Sequence, residues 1–108
     1  MSYIKEISSI HNPLVRSTIS LKEKSRERKK NGLFVIEGIK ELQLAFKGKY
    51  RLKTILYYPE LVTSDTILEL SHGISPTPEI IAISKDVFQK IAHRDTTEGI
   101  LAIAVARE

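Results

Sequence analysis

A sandwich of helices on both faces of a β-sheet is the fold this sequence predicts, and three observations predict it. Short apolar runs of strand length alternate with helical stretches along the chain. Those runs are apolar almost throughout rather than at every second residue, the mark of strands covered on both faces of a parallel or mixed sheet. With 108 residues and 42% hydrophobic content, the chain suits one domain closing a modest core. The expectation is a small α/β/α sandwich with a four-stranded mixed or parallel sheet, residues 1–108 forming a single domain.

The first residues read as a short arm. Asn12 offers an N-cap ahead of Pro13 at the first helical position, and Leu14, Val15, Thr18, Ile19 and Leu21 keep a helical period, so a helix is expected over 13 to about 24. Asn31 and Gly32 signal a turn, and residues 33–36, LFVI, are of strand length. From Glu37 the period is helical again, with Ile39, Leu42, Ala45 and Phe46 on one face until Lys47 and Gly48 close the second helix. Residues 52–58 read as strand; Thr63 or Ser64 caps a helix burying Ile67, Leu68 and Leu70, and Gly73 ends it. Pro76 and Pro78 make SPTPE a loop, because neither carries the amide hydrogen that a helix or central strand needs. Residues 80–83 form a third strand, Ser84 caps a short helix carrying Val87, Phe88 and Ile91, and residues 100–106 form the fourth. That last strand runs into Arg107 and Glu108 with nothing to cap it, as in a module of a longer chain.

Several function classes fall away on composition. No cysteine means no disulfide, thiolate catalysis or cysteine-based zinc site, and His11, His72 and His93 lack metal-ligand spacing. No apolar run approaches the roughly 20 residues of a membrane span, and the start MSYIKEISS has no signal-like core, so a cytoplasmic chain without a membrane partner is expected. Neither a glycine-rich phosphate loop, a nucleophile elbow nor a plausible triad occurs; no catalytic, cofactor-binding or metal-binding residue is expected in this chain.

Charge is more informative. The net formal charge is +4, yet residues 1–51 hold 12 Lys and Arg against 5 Asp and Glu, a net +7, while residues 52–108 hold 5 against 8, a net −3. Within residues 22–30, Lys22, Lys24, Arg26, Arg28, Lys29 and Lys30 face only Glu23 and Glu27, leaving a local +4. A solvated helix end, its cations complementing the helix dipole, is the plainer reading of such a run. The density and the half-chain asymmetry favour a polyanion, since neutralising phosphates releases condensed counterions.

Glu37 and Gly38 stand where a strand hands over to a helix, the edge at which open α/β sheets bind ligands. A first-turn carboxylate and a turn glycine are equally structural features. Glu41 lies one helical turn on, but without a nucleophile or histidine nearby the pair makes weak acid–base machinery; a functional Glu37 would instead fix a neighbouring arginine. Asn12 caps a helix or, beside His11 and Arg16, reaches a phosphate or base edge. Phe34, Tyr57, Tyr58 and Phe88 belong to apolar stretches, whereas Tyr3 and Tyr50 are better placed for stacking on bases. The polar turn TTEG, residues 96–99, leads into the last strand.

Taken together, HNPLVR at 11–16, the basic helix end at 21–28, GLFVIEGIKE at 32–41 and SKDVFQKIAHRDTTEGILAIAV at 84–105 resemble the N-terminal substrate-binding domain of SpoU-type, TrmH-like RNA 2′-O-ribose methyltransferases. The most specific element is Arg28, six positions before Phe34, which opens F-x-x-E-G with Glu37 and Gly38; the distal T-x-G-I-L-A from Thr97 supports it. The resemblance implies a fold like that of ribosomal proteins and kink-turn binders. It also implies a grip on structured RNA, ribosomal ahead of transfer RNA. A C-terminal knotted domain, absent from these residues, would hold S-adenosylmethionine, transfer the methyl group and pair the full-length protein as a homodimer. Asn12, Arg16, Arg28 and Glu37 inherit an RNA-facing or site-organising role, with Lys22, Lys24, Arg26, Lys29 and Lys30 as the electrostatic grip. The rivals are a freestanding ribonucleoprotein component of the same fold and a protein-interaction domain meeting an acidic partner.

Overall fold

In chain order, the computed structural model runs β1 (Ile4–Ile7), α1 (Pro13–Glu23), α2 (Ser25–Asn31), β2 (Leu33–Glu37), α3 (Ile39–Lys47), β3 (Leu52–Tyr57), α4 (Ser64–Ser71), β4 (Glu79–Ile83), α5 (Lys85–Ile91) and β5 (Ile100–Val105). It describes residues 4–74, 77–92 and 98–107. Tyr3, Pro76, His93, Thr96 and Thr97, singled out above, lie outside the described residues.

Three helix starts follow the expected side chains: Asn12 Oδ1, Thr63 Oγ1 and Ser84 Oγ accept from the backbone N–H of Leu14, Thr66 and Val87. The sheet order is β1-β4-β3-β5-β2. β1, β4 and β3 run parallel, while β5 lies antiparallel between β3 and β2. All strands except β5 therefore end at one edge, the upper, where β5 begins. All but β5 start at the lower edge, where β5 ends.

The sheet is mixed, as expected, but has five strands rather than four. The addition is β1, at the outer edge against β4. Ile4 packs toward one core layer and Ile7 toward the other, with Lys5 and Glu6 exposed between them. A strand split in this way shows neither a continuous apolar run nor alternation, so its signature is missing from the sequence.

The core forms two layers. On one face α3 and α4 bring Leu42, Ala45 and Ile67 onto Ile55, Tyr57, Ile80, Ile100 and Ala102. On the other, α1 and α5 bring Val15, Val87 and Ile91 onto Leu56, Ile81, Ile83 and Leu101. Each large aliphatic side chain withdrawn from water in this way contributes roughly 1.5–3 kcal/mol. β3 serves both layers because its successive side chains alternate between the faces, Ile55 and Tyr57 on one and Leu56 on the other. A register shift against β5 between Leu52 and Thr54 leaves Lys53 exposed between two buried neighbours. Tyr58 stacks on Phe88 with centroids 5.0 Å apart, and its hydroxyl donates to Glu60. That bond, helped by burial and by the Glu60 charge, raises the Tyr58 phenol pKa; burial, with the Glu6 charge, raises that of Tyr57.

A separate helix, α2, follows α1 where a single basic helix end was expected. Lys24 is extended (φ −122°, ψ 111°) and breaks the two apart. α2 buries no residue completely, so it has no apolar period to read. Glu27 in its first turn, Arg28, Lys29 and Lys30 in its last, and Gly32 at φ 66° after it supply the local preference for a helix. Among the described residues no helix is long and apolar enough to cross a membrane, and no three acidic or histidine groups are placed to hold a metal ion.

Candidate nucleic-acid interface

β1 and β2 lie at opposite sides of the sheet, so α1, which connects toward β2, must cross one face. This crossing carries Lys22 to a corner that links three elements. The Lys22 side chain is 7% exposed, and its Nζ lies 2.7 Å from Glu37 Oε1 at the end of β2. It also donates to the carbonyl of Ile91, the last residue of α5. An ammonium taken from water needs such partners, and a terminal helix carbonyl needs a donor. The structure thus places Lys22 in an internal pair rather than on an exposed grip, and Glu37 fixes a lysine instead of the expected arginine. With the Glu37 side chain 37% exposed, one side of the pair still meets solvent.

Arg28 is committed in a similar way. Its Nη1 donates to the carbonyls of Leu21 (2.8 Å) and Lys22 (3.1 Å), the closing turn of α1. A guanidinium suits the task because a single Nη carries two N–H donors held in a fixed plane, one for each carbonyl. Arg28→Ala is therefore expected to cost about 1–2 kcal/mol in urea unfolding at unchanged m, with Arg28→Lys recovering less than half. Asn12 is likewise a cap, 2.8 Å from Leu14 N. Gly38 has φ 99°, and a Cβ there would lie 3.0 Å from Glu41 Oε2 and 3.4 Å from Glu98 Oε1. Glycine is needed for the turn, and the carboxylates of Glu41 and Glu98 converge on it, a poor setting for a phosphate.

Lys22, Arg28 and Glu37 accordingly form a frame that fixes α1, α2, β2 and α5 against one another, while Asn12 caps the start of α1. Arg16, Lys24, Arg26, Lys29 and Lys30 remain exposed along α1 and α2. A group not anticipated as an interface lies on the lower edge: Lys47, Lys49, Arg51 and Lys53 are all exposed. Its signal was present in KGKYRLK, four cations and no carboxylate in residues 47–53.

The sequence matches the family model of the MRM3-like substrate binding domain over residues 12–102. The fold is similar to that of an rRNA methyltransferase from Sinorhizobium meliloti with AdoMet bound, at TM-score 0.73 and 23% identity over 96% of this chain and 37% of the other. An RNA 2′-O ribose methyltransferase gives TM-score 0.78 at 23% identity, covering 95% and 38%. The SpoU methyltransferase AviRb from Streptomyces viridochromogenes, in complex with AdoMet, gives 0.76 at 19%, covering 91% and 37%. At these identities the likeness is one of fold, and the chain spans little more than a third of the length of these neighbours. No curated protein matches the sequence.

Proposed function

The chain belongs to the MRM3-like substrate binding domain family, and on that premise we propose that it grips structured RNA for an S-adenosylmethionine-dependent ribose 2′-O-methyltransferase. The family match over residues 12–102 is the observation that carries this reading. The exposed cations of α1 and α2 support it, because backbone phosphates are met by charge and position rather than by sequence.

Arg16, Lys24, Arg26, Lys29 and Lys30 make the phosphate contacts, and Asn12, Lys22, Arg28 and Glu37 hold the helices that present them. Methyl transfer and the S-adenosylmethionine site belong to a catalytic domain outside these residues, in keeping with the greater length of the fold neighbours. Ribosomal RNA is the preferred substrate over transfer RNA, the compartment is the cytoplasm, and the full-length protein is a homodimer through its catalytic domains.

Fluorescence anisotropy with labelled ribosomal RNA fragments, with transfer RNA as competitor, tests the proposal. Affinity should fall about 100-fold between about 50 and about 200 mM salt, as expected for the release of four or five counterions. Absence of binding at low salt, or binding indifferent to salt, would count against it.

A further inference from the structure

α3 ends in a Schellman motif: Tyr50 N–H donates to Ala45 O and Lys49 N–H to Phe46 O, both at 3.0 Å. The residue in the left-handed position of this motif is usually glycine. Here it is Lys49, at φ 59°, while Gly48 sits one place earlier at φ −78° in the ordinary helical region. A lysine held there without need of its side chain breaks a local rule for no return, and such breaks concentrate at sites of function.

The surroundings say what that side chain faces. The guanidinium of Arg107 lies 4.0 Å over the Tyr50 ring and donates to Gly48 O, while Phe34 meets the same ring edge-on with centroids 5.5 Å apart. Val105 N–H donates to Arg51 O at 2.9 Å, and Ala106 N–H to Gly32 O at 2.8 Å, one residue past α2. These rungs join the Lys29 and Lys30 end of α2 to Arg107, Lys49 and Arg51 along one edge. Among the described residues, none of Lys47, Lys49, Arg51, Lys53 and Arg107 is ion-paired with a carboxylate. Beside them opens a pocket of about 510 Å³ whose lining includes Phe46, Tyr50, Leu70 and Ile74, with Lys49 and Arg51 also contributing.

We propose that this lower edge docks an unpaired segment of RNA, its phosphates on Lys49, Arg51 and Lys53 and a base against the Arg107–Tyr50 stack and the adjoining pocket. The inference rests on the RNA-binding reading above and extends the contact from the exposed cations of α1 and α2 onto the lower edge. Unpaired nucleotides fit because a splayed base can stack on an aromatic ring or guanidinium plane, whereas a base inside a duplex cannot.

The test uses the 108-residue chain and two labelled RNAs of equal length, a hairpin with a single-stranded loop and a blunt duplex. Lys49→Glu with Arg51→Glu is compared with a charge-matched control on α5, Lys85→Glu with Lys90→Glu, after circular dichroism verifies the fold of each. The expected result is tighter binding of the hairpin by wild type, a loss of at least about tenfold for the edge variant and less than about threefold for the control. Lys49→Gly, which relaxes the backbone, should hold or raise Tm by a few degrees while weakening binding about threefold. If wild type binds neither RNA, the RNA-binding reading itself fails. If it binds but the edge variant and control are alike, or duplex and hairpin bind equally, the proposed docking edge is overturned and the broader reading stands.

Discussion

Glu37→Ala is expected to destabilise the domain by about 2–3 kcal/mol, whereas Lys22→Met costs within about 1 kcal/mol, both read from urea midpoints at constant m. The asymmetry follows from burial. Removing the carboxylate leaves a 7% exposed ammonium with the Ile91 carbonyl still accepting from it, while removing the ammonium leaves a carboxylate already 37% exposed and open to hydration. Uncompensated buried charge commonly costs about 3–5 kcal/mol, and the half-open Glu37 side lowers that figure here. Equal losses in the two variants would mean that attraction within the pair, not desolvation, dominates at this corner.

Leu101→Ala should cost about 3–4 kcal/mol, a large share of the roughly 5–15 kcal/mol that holds a domain folded. Leu101 is 1% exposed in the strand between β3 and β2, packed with Leu56, Ile81 and Val87, and a rigid sheet cannot collapse around the cavity. Leu44→Ala, at a position 58% exposed on α3, serves as the comparison and should change stability by less than about 0.5 kcal/mol. A Leu101 variant losing under 1 kcal/mol by urea or thermal unfolding would refute the two-layer packing.

The helix caps were readable because each depends on two or three adjacent residues: Asn12 before Pro13, Thr63 before Thr66, Ser84 before Val87. The central strands were readable because burial on both faces makes them apolar throughout. β1 and α2 escaped because one divides its two isoleucines between layers and the other buries nothing fully. The status of Lys22 escaped for a different reason. Within a run of cations, nothing local tells the one whose helix crosses the sheet to Glu37, fifteen residues on, from those left in water. Gly48 correctly marked the end of α3, yet the left-handed turn falls on the next residue, which only backbone geometry reveals. Arg51 and Arg107 share an edge through β3–β5 pairing, a neighbourhood that no window along the chain contains.

With the frame anchoring Lys22 and Arg28 inward, the exposed positive charge of α2 and of the β3 start faces solvent, while the carboxylates of Glu41 and Glu98 gather beside Gly38 at the other end. A body with its charge offset in this way would turn in the field of a polyanion before contact. Collisions aligned in that way would shorten the angular search that ordinarily slows docking, and added electrolyte should lengthen it again.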